Sequence, residues 1–168
     1  MSIAASFLPE FDMEMAATRR VLAVVPAGQA EWKPHPKSFA LAGLAMHIGN
    51  FPHWGLMTLT QPELDLAGSG GADSRPAFST TEALLAAFDS GVATFRAALA
   101  GMTDEQMHAP WSLKTGPVTI FTMPRIAVLR TSVLNHMIHH RGQLTVYLRL
   151  LDVPVPDVYG PTADTKAG

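Results

Sequence analysis

Three histidines of this chain have the spacing and surroundings of a metal site. His136 and His140 stand four residues apart in a segment with helical periodicity, so on an α-helix they differ by about 40° around the axis and project side by side. Two imidazoles placed in this way can chelate one divalent ion. His139 differs from His136 by about 60° in the other direction and is a weaker partner. The third histidine, His47, lies on the apolar stripe of a different predicted helix.

The helical pair is predicted to point toward the interior of the protein. Apolar side chains share its side of the helix, whereas Arg130 and Arg141 fall on the opposite side and are expected to be solvated or at an interface. A single inward histidine is most often a hydrogen-bonded core residue, and an H-x-x-x-H pair is weak evidence by itself. Three inward imidazoles from two helices favour a metal, because ligation would satisfy all three.

The donor set of this site is predicted to be nitrogen rather than carboxylate. No Asp or Glu occurs between Gln106 and Leu151, which excludes a Glu-x-x-His di-iron motif in the last predicted helix. The sequence therefore predicts one mononuclear site of His47, His136 and His140, with open positions for water or substrate. Such a nitrogen set suits Zn, Ni, Co or Fe.

Several residues near the histidines are further candidates to line or support the site: Thr18, Asn50, Trp54, His139 and Gln143. Each also has a simpler interpretation, such as a threonine bonded to its own helix, a core tryptophan or a glutamine that bonds across helices. His139, Asn50 and Thr18 are the polar candidates for proton transfer, and the sequence identifies no definite catalytic residue.

Four segments with apolar residues at spacings of three and four must position these side chains. They predict an all-α fold in a single domain, residues 1–168, with helices near residues 6–25, 39–60, 80–100 and 124–151.

Pro52 lies inside the second helix and should bend or break it just past His47. Residues 61–78 predict a long crossover loop, and residues 118–121 are compatible with a short strand or hairpin. The tail, residues 157–168, is expected to fray or to lie on the surface.

Composition limits the classes of protein to which the chain belongs. It has 168 residues, 48% hydrophobic and 15% charged, which suits a folded domain rather than a disordered chain. A net charge of −2 argues against nucleic-acid binding, and the lack of cysteine excludes disulfides, thiolate metal sites and a cysteine nucleophile. With no signal peptide or membrane-spanning run recognised, a soluble, cytoplasmic protein is expected.

Apolar residues that extend beyond the histidine side of the last helix, among them Val146 and Leu150, predict a homodimer.

Two stretches resemble the DinB-like family of DNA-damage-inducible bacterial proteins. Residues 32–50, WKPHPKSFALAGLAMHIGN, resemble the second-helix motif of that family, and residues 135–164, NHMIHHRGQLTVYLRLLDVPVPDVYGPTAD, resemble its C-terminal signature. The resemblance spans nearly the whole chain. It implies a four-helix bundle of up-down-down-up topology, a divalent metal held by His47, His136 and His140, and a stress-related homodimer.

The activity that the resemblance implies is that of a metal-dependent enzyme acting on a small molecule. Family members include transferases that use low-molecular-weight thiols, and others are described as metal-dependent hydrolases, so either a hydrolase or a thiol S-transferase is expected. The alternative is a non-catalytic protein with a structural metal, which binds a small ligand or acts through its dimer surface. A site that reaches an open metal position favours the enzyme, and a sealed site favours the alternative.

Overall fold

Helices and a small sheet make up the part of the chain that the computed structural model describes, residues 1–68 and 78–165. In chain order the elements are α1 (Ile3–Leu22), α2 (Leu41–Gly49), α3 (Phe51–Thr60), β1 (Glu63–Asp65), α4 (Thr81–Ala100), α5 (Asp104–His108), β2 (Pro110–Thr115), β3 (Val118–Pro124), α6 (Arg125–Val128), a π-helical segment (Leu129–Asn135) and α7 (His136–Leu150). The buried apolar side chains of the long helices form one core.

The prediction of an all-α fold is wrong, because a three-stranded sheet lies beside the helices. β1 pairs in parallel with β2, and β2 pairs antiparallel with β3. Val118 and Ile120 in β3 are β-branched residues, which favour an extended backbone. Gly116 has a φ of +56°, the left-handed conformation that the two-residue turn between β2 and β3 requires. A four-helix bundle therefore does not describe the whole molecule.

β1 falls inside the segment predicted as a crossover loop, residues 61–78. Glu63 pairs with Ser112 of β2, and the carboxylate of Asp65 accepts a hydrogen bond from the Gly116 N–H at 2.8 Å. The start of the predicted loop is thus tied to the hairpin. Residues 69–77 of that loop lie outside the described residues.

The second predicted helix, residues 39–60, divides at Asn50 into α2 and α3. Pro52 stands in the first turn of α3, where a helix has no use for the N–H that proline lacks. The predicted break just past His47 is confirmed. As a result His47 lies in the last turn of α2, at a helix end rather than in the middle of a long helix.

The last predicted helix, residues 124–151, is helical from Arg125 to Leu150 but is not uniform. α6 begins directly after Pro124, and the π-helical segment separates it from α7. Such wide turns are rare and occur frequently at functional sites. Here the wide segment ends at Asn135, immediately before His136, so it sets the direction in which the histidine pair leaves the helix.

One helix, α4, is long and apolar enough by length and composition to cross a membrane. The core helix of a folded domain passes the same test. In the structure α4 contacts α1, α2 and α3, and two of its charged residues, Asp89 and Arg96, form ion pairs with Arg19 and Asp12 of α1. Its apolar side therefore packs against the rest of the chain through the buried side chains Leu84, Phe88, Phe95 and Leu99.

The C-terminal tail follows the surface and is held by hydrogen bonds within the described residues. Asp164 pairs with Arg149 of α7 at 3.0 Å and accepts a hydrogen bond from the Val155 N–H at 2.9 Å. Tyr159 remains largely exposed, and its hydroxyl donates to the carboxylate of Glu14 on α1 at 2.9 Å. The tail thus connects the C-terminal end of α7 with the first helix.

Candidate metal centre

Three imidazoles from two helices come together where α2 packs against α7. His47 is contributed by α2, and His136 and His140 by α7; one ring nitrogen of each lies within 4.8 Å of the others. The ring centroids are 4.6 Å apart for His47 and His140, 5.3 Å for His47 and His136, and 4.7 Å for the helical pair. The structure therefore groups the three histidines that the sequence singled out, and this cluster could hold a metal ion.

Hydrogen bonds orient the rings of the two α7 histidines. The side-chain oxygen of Gln143 lies 2.7 Å from His140 Nδ1, so with this amide orientation Nδ1 carries the hydrogen and donates it. The backbone carbonyl of Ser132 likewise accepts a hydrogen bond from the His136 ring. The two Nε2 atoms face each other at 2.9 Å. Two neutral rings would aim their Nε2 lone pairs at the same point, an arrangement that a shared cation stabilises.

Burial favours the neutral form of both rings. It lowers the pKa of His136, and the neighbouring His140 lowers it further, against the opposing hydrogen bond that the ring donates to the Ser132 carbonyl. Burial also lowers the pKa of His140, against the opposing hydrogen bond to Gln143. Neutral imidazole is the form that binds metal ions, so the pair is prepared for coordination at neutral pH.

Aromatic side chains surround the cluster. Phe51 is 1% exposed, and its ring centroid lies 5.0, 4.9 and 6.3 Å from those of His47, His136 and His140. It closes the inner side of the site with an apolar surface. Phe39 stacks on His47 at 5.8 Å but remains 46% exposed. His47 and His136 are themselves only half-buried, so the outer side of the cluster reaches solvent.

Three of the other residues singled out in the sequence lie at the site. Gln143 bonds to His140, as described, and the ring of His139 lies 5.0 Å from that of His140 but is exposed. Trp54 contacts His47 with a centroid distance of 6.2 Å. These residues belong to the edge of the cluster rather than to its donor set.

Thr18 lies in a different environment. Its hydroxyl accepts a hydrogen bond from Arg141 at 3.1 Å and is fully buried between α1 and α7. Asn50 is half-buried at the junction of α2 and α3, and its side chain does not cap α3. Thr18 is thus bonded to α7 through Arg141 and the Met137 sulfur.

Arg141, predicted to be solvated or at an interface, is 2% exposed and lies at the interface of α7 with α1. Its guanidinium pairs with Glu14 at 2.7 Å, donates to Thr18 and to the Tyr159 hydroxyl, and lies over the Tyr159 ring. It is not solvated because α7 packs against α1 as well as against α2. Glu14 and Thr18 lie four residues apart in the first helix, on one side of it. This pair of polar residues was the sign in the sequence that a polar side chain could be buried against α1.

The chemistry of the cluster fits a divalent transition metal. Three neutral imidazole nitrogens match the ligands that Zn, Ni, Co and Fe accept, and three protein ligands leave coordination positions open. Ordering of the rings by Gln143 and Ser132 is the kind of outer support that metal-binding histidines have.

Comparisons with known proteins agree with this architecture. The model of the DinB family matches residues 1–167. The chain is similar to a DinB-like protein from Bacillus cereus, with a TM-score of 0.72 and 24% identity, covering 94% of this chain and 98% of that one. It is also similar to a DinB-like protein from Bacillus subtilis, with a TM-score of 0.68 and 19% identity, covering 91% and 97%.

At these identities the likeness to the two structures shows the fold alone. No curated protein matches the chain. The family match nevertheless covers almost the entire sequence, including both stretches that carried the resemblance. The prediction of the family is therefore confirmed, and the chain belongs to the DinB family.

Proposed function

We propose that this protein binds one divalent transition metal through His47, His136 and His140 and is a metal-dependent enzyme that acts on a small molecule. The observation that carries the proposal is the convergence of ring nitrogens from α2 and α7 beside the half-exposed Phe39. A structural metal site is closed to solvent, whereas a catalytic metal keeps a coordination position open for water or substrate.

The reaction class that fits is hydrolysis or transfer of a low-molecular-weight thiol. A metal held by the three histidines supplies Lewis-acid chemistry and lowers the pKa of a bound water or thiol. The chain has no cysteine, so a reacting thiol arrives as a substrate. In the cytoplasm, where we place the protein, small thiols are kept reduced and available.

The protein's own residues have definable roles in such a reaction. Gln143 fixes the His140 ring through Nδ1, and Phe51 keeps water away from the inner side of the cluster. His139, exposed and 5.0 Å from His140 between ring centroids, is the neighbouring side chain able to accept a proton. The described metal-ligating cluster includes no carboxylate, which favours a nucleophile that loses its proton readily, such as a thiol.

A structural metal is the second candidate. The cluster joins α2 to α7, and the adjacent Arg141 ties α7 to α1, so a bound ion would complete a cross-link among three helices. In that case metal removal lowers stability and no substrate is consumed. The protein would then act by binding a small ligand or through a dimer surface.

Turnover by the metal-loaded protein separates the two candidates. Protein loaded in turn with Zn, Ni, Co or Fe is assayed with small thiols plus electrophiles, and with ester and amide substrates. The enzyme proposal expects turnover by the wild type and by His53→Ala, an exposed histidine on α3, and none by His136→Ala. Turnover that persists undiminished in His136→Ala would reject the assigned site, and inactivity of every loaded form across the screen would favour the structural role.

A further inference from the structure

Phe39 is a large apolar side chain left at the surface beside the histidine cluster. It precedes α2, and its ring stacks on His47 with an interplanar angle of 17° while its edge faces His140 at 6.1 Å. Nearly half of the residue, 46%, is exposed. Phe39 therefore contacts two of the three imidazoles and presents apolar surface to anything that approaches them from solvent.

The backbone at Phe39 is bonded to α7, and its ring lies against α2. The backbone carbonyl of Phe39 accepts a hydrogen bond from the Tyr147 hydroxyl of α7 at 3.4 Å, and Tyr147 in turn packs edge-on against Trp32 at 5.6 Å. Gly43, one turn into α2, would place an added Cβ 3.8 Å from the Phe39 ring, so the ring lies directly over the helix. An exposed aromatic side chain has only two side-chain torsions and loses little conformational entropy on binding a ligand.

Trp54 continues the aromatic surface around His47. Its ring centroid lies 6.2 Å from that of His47 and 5.9 Å from that of the buried Phe51. Phe51 itself touches all three imidazoles from the inner side. The aromatic residues around His47 thus differ in exposure: Phe51 is buried, Trp54 is half-buried and Phe39 is exposed.

Aromatic rings make up much of this environment. The metal-ligating cluster is formed by three imidazoles, and Phe39, Phe51 and Trp54 each lie against the ring of His47. The nearest strong cation along α7, Arg141, is paired with Glu14 on the opposite side of the helix. An apolar or aromatic substituent on a ligand would find aromatic surface here.

We propose that Phe39, with Trp54, forms the specificity surface of the site and selects ligands whose metal-binding group carries an uncharged apolar or aromatic substituent. The inference rests on the proposed function, since it assigns a substrate class to the same metal centre. Phe39 is a specificity-determining residue and not a ligand, so its removal changes which molecules bind and not whether the metal binds.

Two hydroxamates that share one metal-binding group test this assignment. Acetohydroxamate carries a methyl group and benzohydroxamate a phenyl group, so their difference in affinity reports the contact of the substituent with the protein. Dissociation constants are measured by titration of the Co²⁺-loaded protein, followed by the visible absorption of the cobalt. Wild-type protein is expected to bind benzohydroxamate at least about tenfold more tightly.

Variants assign that preference to the ring. Phe39→Ala is expected to lose most of the preference while retaining the affinity for acetohydroxamate and the cobalt stoichiometry, and Phe39→Trp is expected to keep it. Ile120→Ala, which trims an exposed apolar residue of β3, is the control and should behave as wild type.

The failures of the two proposals are distinguishable. Equal affinity of wild-type protein for the two hydroxamates, or an unchanged preference in Phe39→Ala, overturns the specificity surface while the bound cobalt leaves the metal centre standing. Absence of cobalt uptake by wild-type protein overturns the metal centre and the specificity surface together.

Discussion

At the scale of single residues, Gln143 determines how His140 presents its ring. The 2.7 Å hydrogen bond from His140 Nδ1 to the Gln143 side chain leaves Nε2 as the donor atom toward the cluster. Loss of such outer support weakens metal binding by about 10–100-fold in other proteins. We therefore expect Gln143→Ala to bind Zn²⁺ more weakly by that factor, measured by competition with a chromophoric chelator.

His139→Ala is the matched control for Gln143→Ala, because His139 is an exposed neighbour on the same helix. It should leave the Zn²⁺ affinity close to that of wild type. Equal affinities for Gln143→Ala and wild type would show that the hydrogen bond does not orient a ligand.

Arg141 contributes to stability through a buried ion pair. It and Glu14 are almost fully buried and 2.7 Å apart, and the removal of one partner leaves the other charge without compensation. Breaking a buried pair in this way costs about 3–5 kcal/mol. Arg141→Met is expected to lower the free energy of unfolding by that amount in urea denaturation.

Arg96→Met provides the comparison, since Arg96 forms an equally short but half-exposed pair with Asp12. Exposed pairs contribute about 0–1 kcal/mol, so this variant should unfold close to wild type. A similar small effect for Arg141→Met would mean that Glu14 is protonated or solvated rather than paired.

At the scale of elements, the contact of α3 with α4 depends on a glycine. A Cβ added to Gly55 would lie 2.2 Å from the ring of Phe95, which is 1% exposed and packs edge-on against Phe11 of α1 at 4.9 Å. Overpacking of this kind costs about 1–3 kcal/mol. We expect Gly55→Ala to lower the unfolding midpoint, as measured by circular dichroism during thermal denaturation.

A second helical glycine provides the control. An added Cβ at Gly142 of α7 meets nothing within 4 Å, so Gly142→Ala should be neutral or stabilising by about 0.5–1 kcal/mol through helix propensity. If both alanines behave alike, the close approach of α3 and α4 is not what limits stability.

Local periodicity predicts the elements that carry the histidines but not every neighbour of those elements. The spacing of His136 and His140 follows from the helical period, and the break near Pro52 follows from the missing N–H, so both are visible in the sequence. The three residues of β1 pair with β2 far along the chain, and such short non-local pairing has no local signal. The all-α prediction therefore missed β1, whereas the strand-forming residues 118–121 of β3 were visible in the sequence and were not carried into the fold class.

The residues of the candidate site also divide into those that the sequence predicts and those that it does not. The three histidines were identifiable, because inward imidazoles on two apolar stripes are unusual. The burial of Arg141 was not, since a helical wheel shows one apolar side of α7 and not that α1 covers the other. Phe39 was not predicted as a site residue either. It belongs to the site because its ring stacks on that of His47, and no spacing pattern in the sequence indicates this contact.

At the scale of the whole molecule, stability of the metal-free protein should depend on pH. Burial lowers the pKa values of His136 and His140 in the folded state, so below about pH 6.5 the unfolded chain takes up protons before the folded one. These two groups therefore reduce the free energy of unfolding as the pH falls from about 6.5 and have no such effect above it.

Urea denaturation at pH 7.5 and pH 5.5 in the presence of a chelator measures this effect. The loss of stability between the two values should be smaller in the His136→Gln, His140→Gln double variant, which removes both groups. An identical loss in the double variant would assign the pH dependence to other residues.

A second copy of the chain is the partner that we predict for the outer side of α7. Val146 and Leu150 are 58% and 57% exposed and four residues apart, so they form one apolar surface. Sedimentation at micromolar concentration should show twice the 18.0 kDa chain mass, and Val146→Glu should dissociate the dimer whereas Ile120→Glu on β3 should not. A species of one chain mass alone would contradict the prediction.

The most direct test of the account is the metal content of three proteins purified in parallel: wild type, His140→Ala and His139→Ala. After dialysis and elemental analysis by mass spectrometry, we predict about one divalent transition metal per chain for wild type and for His139→Ala, and none for His140→Ala, with circular dichroism showing that all three are folded. If His140→Ala retained the metal and His139→Ala lost it, the ligand would be His139 and not His140. Wild-type protein without metal after incubation with Zn²⁺ would contradict the metal centre itself.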